Sequence, residues 1–294
     1  MAEQNVAPTI PDLFQFAFFP YQGPPCSPAE AVRLGFPNAI ATLAELSEPE
    51  DWSGQVNNTA PYGILKSYIV YTYRRFYIEQ KISISRDNQG AAFNTGLLTP
   101  FGEELFGYFE PNRRPKAQPW VFYGWKSESD MGMMNRFYPP PEMAQYVRTA
   151  AELVYDTGRP LTISIDHIIQ HNIERFPPEL RKKGMEGMAR MCLNSAKDMT
   201  LKRLRRNYKI AIPQWYPKLG TEGAQLMLPL DLTNSGTADL ALVVSLTDGG
   251  SYRGHTVLTL GMAYSNARLV ARPDSAWLRP QVANEVLEEV ANSI

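Results

Sequence analysis

Residues 224–260 read "AQLMLPLDLTNSGTADLALVVSLTDGGSYRGHTVLTL". Three apolar runs of strand length, "AQLMLPLDL", "ADLALVVSL" and "YRGHTVLTL", are separated by the polar, glycine-bearing turns "TNSGT" and "TDGGS". Such turns suit hairpins. Connections this short join antiparallel neighbours, because a parallel return needs a crossover of a dozen or more residues. The stretch therefore predicts three antiparallel strands.

A second strand group lies upstream. "KISIS", "GAAFNTGLL", "LFGYFEP" and "PWVFYGW" carry alternating or aromatic strand patterns with equally short connections, which predicts another antiparallel meander. Helical patterns surround the two groups. Ser27-Pro28 reads as a cap followed by proline at the first helical position, opening a helix to about Leu34, with a second from Pro37 to Leu46. Residues 62–79 place Leu65, Tyr68, Ile69, Thr72, Tyr73 and Phe76 at helical spacing, with Lys66, Arg74 and Arg75 off that stripe. "PPPEMAQYVRTAAELVYD" reads as a helix opened by proline, "LTISI" as a buried strand, and Asp166 as the cap of "HIIQHNIERF". A long basic helix is expected from near Pro178 to about Tyr208, with Gly184 or Gly187 as the places for a break. A terminal helix is expected over Gln281 to Asn292. Helices between two strand groups, without βαβα alternation, predict an α+β fold. No internal repeat or linker stands out, so residues 28–294 are read as one domain behind an extended arm, residues 1–27.

The 44% hydrophobic and 20% charged content is that of a soluble globular chain, and no apolar run approaches membrane-spanning length. The N-terminus has no basic segment before its apolar patch, unlike a secretion signal. Two cysteines, Cys26 and Cys192, set no disulfide framework, which fits a reducing cytoplasm. Cys192, among apolar residues at helical spacing, reads as an inert thiol. The formal charge is −1, but residues 178–209 hold ten basic and three acidic residues, a net +7 that the rest of the chain offsets. That asymmetry points toward a polyanionic partner.

The segments "LAELSEPEDW", "ILKSYIVYTYRR", "AAFNTGLLT", "YFEPNRRPKAQPWVFYGW", "LTISIDHIIQHNIERFP", "AQLMLPLDL" and "YRGHTVLTLGMAYSNARLVARPDSAWL" carry a resemblance. Over roughly Leu43 to Trp277 the chain resembles the bacterial family called domain of unknown function 3825. Fusion of some members to cold-shock or other RNA-binding modules implies work on RNA or its metabolism. The resemblance implies no particular reaction and no catalytic residues.

Several polar groups interrupt the apolar pattern. In "FNTGL", Asn94 and Thr95 offer amide and hydroxyl groups beside a glycine that lets a ligand approach the backbone; the structural alternative is a self-satisfied turn. Asn112, Arg113, Arg114 and Lys116 cluster in a proline-stiffened loop near Tyr108, Phe109 and Trp120, where guanidinium groups suit phosphate and rings suit bases. His167 and His171 share a helical face, but no further ligands accompany them, so no metal site is read there. Lys202, Arg203, Arg205, Arg206 and Lys209 put five cations in eight residues, more than one helical face. Alternation places Arg253 and His255 on one strand face and Tyr252 on the other. With Asp231, Asn266 and Arg268, joined by Asn94 and Asp166, they suggest a polar hollow for an anion; the structural alternative pairs Arg268 with Asp231 or Asp274 and makes Asn266 a turn cap.

Three functional readings follow. The first is a cytoplasmic RNA- or nucleotide-binding protein that the cationic segment steers to its partner. In the second, the same pocket processes a phosphodiester or nucleotide, with His167 or His255 as proton carrier and Asp166 or Asp231 orienting it or ligating Mg²⁺. The third is a partner-binding module that docks another protein through its N-terminal arm. The G-x-S-x-G, Walker, dinucleotide and C-x-x-C patterns are absent.

Overall fold

The computed structural model describes residues 11–53, 62–114, 117–216 and 224–278. The fold is α+β, with two five-stranded sheets. By internal contacts the chain forms two compact units, Met1–Trp52 with Pro61–Ala144, and Ser53–Ala60 with Gln145–Ile294. The sequence reading instead carried residues 28–294 as one domain, because the change of unit near Ala144 has no linker composition.

The first unit opens with α1 (Leu13–Phe16), capped by Asp12, whose carboxylate accepts the Gln15 N–H at 2.7 Å. β1 (Ala17–Phe18) follows directly. Leu13, Ala17 and Phe19 are buried, so this part of the expected extended arm is a helical turn and a short strand packed into the unit. α2 (Pro28–Leu46) begins at Ser27 in a reciprocal cap with Glu30 and runs unbroken through Pro37, where two helices were expected. An interior proline costs a helix roughly 3 kcal/mol. The buried face of Phe36, Ala39, Ile40 and Leu43 holds the helix together, and the Trp125 indole N–H donates to Ala39 O at 2.6 Å. Gly35 is needed here, because a Cβ at this position would lie 1.9 Å from Phe19 O.

α3 (Gly63–Glu79) buries the predicted stripe of Leu65, Tyr68, Ile69, Thr72, Tyr73 and Phe76. Arg75 was expected off that stripe but is buried too, with its Nε paired to Glu79 one turn on. β2 (Ser83–Ile84), β3 (Ala91–Leu98), β4 (Glu104–Pro111) and β5 (Trp120–Ser127) form the predicted meander, and β1 adds to β5 in parallel. One sheet face carries a chain of rings, Phe76–Phe93–Phe109–Phe122–Trp125, with centroid spacings of 4.8–5.6 Å. On the other, Ala92, Phe106 and Tyr108 meet Met133 of α4 (Met131–Arg136) and Phe137. Of the helix expected over "PPPEMAQYVRTAAELVYD" only a 3-10 turn, Ala150–Leu153, forms, and its proline-rich start stays non-helical. Its prolines have no N–H to donate, and its carbonyls serve other groups: Pro141 O accepts from Asn94 and Met143 O from Lys81.

The second unit contains β6 (Leu161–Ile163), α5 (Ile165–Asn172), α6 (Glu186–Leu204), β7 (Ile212–Gln214), β8 (Gln225–Leu230), β9 (Leu240–Leu246), β10 (Tyr252–Thr259) and α7 (Leu260–Val270). Residues 178–209 are not one long helix. A 3-10 turn at Pro178–Leu180 and a break holding Gly184 at φ +88 precede α6, and a second 3-10 turn, Tyr208–Ile210, follows it. Leu226, Leu228 and Leu230 of β8 and Leu240, Leu242 and Val244 of β9 point every second side chain at Ile168, Ala189, Leu193 and Ala196 of the two helices. The expected helix over Gln281 to Asn292 lies outside the described residues.

The two units share one wiring. Each runs strand, two helices, then a four-stranded antiparallel meander, and the first strand pairs in parallel with the last: order β1-β5-β4-β3-β2 and β6-β10-β9-β8-β7. The last strands also match in detail. Counting from Trp120, paired with Ala17, and from Tyr252, paired with Leu161, the fourth residue of each strand is an extra one in the ladder: Tyr123 in β5 and His255 in β10. Each bulge shifts the alternation by one, so Phe122 and Trp125 share a face, as do Tyr252 and Val257.

Candidate functional site

The opening stretch resolves residue by residue. Tyr252 lies on the helix-covered face, stacked on Tyr155 with centroids 4.2 Å apart, and its hydroxyl accepts the Asp156 N–H at 3.1 Å. Burial beside Tyr252 pushes the Tyr155 hydroxyl up to about 12. Tyr252 is thus a core residue rather than a ligand group. Gly254 belongs to the same face, where a Cβ would come 2.4 Å from Ile163 Cγ2 of the parallel neighbour. Arg253 and His255 share the exposed face, as alternation predicts. The His255 Nε2 and the Ser245 hydroxyl are hydrogen-bonded across the ladder. Partial burial, then the neighbouring Arg253 guanidinium, lowers the His255 imidazole below the usual histidine range.

The groups expected to converge on them are engaged separately. The Asp231 carboxylate closes its own turn, accepting the Ser235 and Gly236 N–H groups at 2.9 and 3.0 Å. Asn266 and Arg268 lie on α7 itself. Asn266 Nδ2 donates to Gln214 Oε1 at 2.9 Å. Arg268 is buried, in the last turn of that helix, where a cation meets the negative end of the helix dipole. Asp166 does not cap α5; Ser164 holds the N-cap position, and Asp166, in the first turn, pairs with Arg190 of α6. The exposed rings of His167 and His171 sit 4.4 Å apart. Among the described residues no group of three or more His, Cys, Asp or Glu is placed to hold a metal ion.

In the first unit, Asn94 and Thr95 form the irregularity in β3. Asn94 Nδ2 donates to Pro141 O at 3.2 Å and its Oδ1 accepts the Gly96 N–H; the Thr95 hydroxyl donates to Leu105 O at 2.7 Å and accepts the Leu97 N–H. These groups hold the fold. Asn112 caps its own loop by accepting the Arg114 N–H at 3.1 Å, with Arg113 and Arg114 exposed beside it. Lys116 lies outside the described residues.

Lys202, Arg203, Arg205, Arg206 and Lys209 are all exposed, and among the described residues none forms an ion pair. Upstream on α6, Arg190 meets Asp166, and Lys197 lies 3.2 Å from Asp198. Arg206 donates to Lys202 O at 2.7 Å, and Tyr208, 59% exposed, stands among the cations.

One cleft escaped the sequence reading. The β2–β3 turn and the end of α4 enclose about 250 Å³ between Arg86, Asp87, Asn135, Arg136 and Tyr138. Arg136 Nη1 donates to Gln89 O at 2.9 Å and to Tyr108 Oη at 2.5 Å. Asp87 accepts from the Ser85 hydroxyl and the Gln89 N–H, which with Arg136 nearby hold its carboxyl below the usual range. Tyr138 also lines a second, apolar cavity of about 140 Å³, with Phe106, Met133, Phe137 and Glu128. The signal lay in "SRDNQG" and "MNRFY", two short polar stretches each holding one arginine.

Residues 43–277 match the family model described as Domain of unknown function (DUF3825). The chain belongs to this family. The match spans the resemblance seen in the sequence and reaches into both units. No curated protein matches the chain, and no solved structure does. Among the described residues, no helix is long and apolar enough to cross a membrane.

Proposed function

We propose that this member of the DUF3825 family is a cytoplasmic RNA- or nucleotide-binding protein acting in RNA metabolism, and that it meets the polyanion at the carboxyl end of α6. The observation that carries this reading is the cluster of five exposed cations without a carboxylate partner among the described residues. A helix C-terminus presents only about half a negative charge, so five cations exceed what it needs. Tyr208 beside them offers a ring to a base, and stacking of that kind tolerates any sequence. The cytoplasmic part rests on cysteine usage, with Cys26 and Cys192 both free thiols.

The test is binding of labelled single-stranded RNA over a range of salt concentrations. If all five cations meet phosphate, log K falls with log salt at a slope of roughly −3 to −4. Reversing Lys202, Arg203, Arg205 and Arg206 to Glu removes most of that slope. Absence of binding at low salt, or a slope untouched by the reversals, sinks the reading.

A further inference from the structure

We propose that the cleft between the β2–β3 turn and α4 binds a nucleoside monophosphate whose base carries an exocyclic amino group. This goes beyond the polyanion reading and does not rest on it. The polar half of the cleft sets two guanidinium groups, Arg86 and Arg136, against one carboxylate, Asp87. The net charge favours an anion, and guanidinium forks match phosphate oxygens. Arg86 forms no hydrogen bond or ion pair among the described residues, whereas Arg136 is fixed by Gln89 and Tyr108. One guanidinium is thus set in place and the other is available to close on the phosphate.

Asp87 is held ionised by its hydrogen bonds to Ser85 and Gln89, both to Oδ1. Its second oxygen remains an acceptor suited to a ribose hydroxyl. Tyr138 is the wall common to both cavities and is 87% exposed. A base entering the apolar cavity would stack on that ring and cover Phe106, Met133 and Phe137. Glu128, at the same cavity, accepts from an exocyclic amino group, which uracil lacks, offering only its ring N3–H. Phosphate, sugar and base each have a complementary group in two cavities that meet at Tyr138.

Calorimetric titration of the full chain with cytidylate, adenylate, uridylate, cytidine and inorganic phosphate tests this. Saturable binding of cytidylate or adenylate is expected, with uridylate and cytidine each about tenfold weaker. Arg86→Glu should weaken cytidylate roughly tenfold or more. Tyr138→Ala should do the same while leaving inorganic phosphate binding unchanged. Both side chains are exposed, so thermal unfolding should hardly move and loss of binding reports on the cleft. No saturable binding of any mononucleotide overturns the proposal, as does binding indifferent to both variants. Glu substitutions at Lys202, Arg203, Arg205 and Arg206 leave cytidylate binding intact, which separates this site from the polyanion surface.

Discussion

Asn172 Oδ1 accepts the Val257 N–H at 3.1 Å and also the Thr256 hydroxyl, across the bulge that interrupts β10. A bulge takes backbone groups out of the strand ladder. Asn172, at the end of α5, answers one of them, and Arg175 answers another by donating to Val257 O at 2.7 Å. Asn172→Ala should lower unfolding free energy by about 1–3 kcal/mol, the cost of a buried unsatisfied donor. Chemical denaturation checks it; an unchanged midpoint would show that the bulge stands without this side chain.

Trp125 makes a useful contrast. Its indole N–H reaches Ala39 O, a carbonyl already inside a helix. Trp125→Phe keeps an aromatic ring in the cluster and leaves no orphaned carbonyl. The expected loss is about 0.5–1.5 kcal/mol, smaller than for Asn172→Ala in parallel denaturation curves.

Gly35→Ala sets two effects against each other. Alanine favours the helix by about 1 kcal/mol over glycine. The added Cβ would fall 1.9 Å from Phe19 O, a backbone atom that cannot rotate aside. Overpacking costs about 1–3 kcal/mol or more, so net destabilisation is expected. A raised melting temperature would count against the close approach.

His255 should titrate below the ordinary histidine value of about 6.5. With the folded pKa depressed, the unfolded chain takes up the proton first as the solution is acidified. The stability that this neutral imidazole contributes is therefore whole above about pH 6.5 and declines as pH falls from there toward the folded pKa. Proton NMR of the ring follows the titration directly. Arg253→Gln should raise the midpoint by removing the neighbouring charge, and a midpoint at or above the ordinary value would refute the assignment.

Much of the architecture was legible because turn chemistry and periodicity are local. "TNSGT" and "TDGGS" define hairpins wherever they occur, and the stripe from Leu65 to Phe76 admits one buried helix face. What escaped was set by distant partners. The Pro139–Met143 segment is held by Asn94 and Lys81, far away in sequence; the two-residue strand at Ala17 carries no periodic signal, and nothing local in "LTISI" marks its strand as the parallel partner of β10. The shared wiring of the units was invisible because it needs only apolar alternation at matching places, and Tyr123 and His255 fill equivalent bulges with unlike side chains. The candidate residues were chosen as polar groups breaking apolar runs. Asn94, Thr95, Asp231 and Tyr252 break those runs to satisfy backbone, whereas Arg113, His167, the Arg253–His255 face and the cations from Lys202 onward stand exposed.

The parallel edge strand of each sheet also bears on how the chain folds. Its meanders assemble from neighbours, but Ala17 must wait for Trp120 and Leu161 for Tyr252. Loop-closure entropy makes such late, long-range pairings slow. In both halves the carboxyl-terminal strand must be synthesised before the first can dock, so a ribosome-bound nascent chain would expose β1, and later β6, as unpaired edges until then.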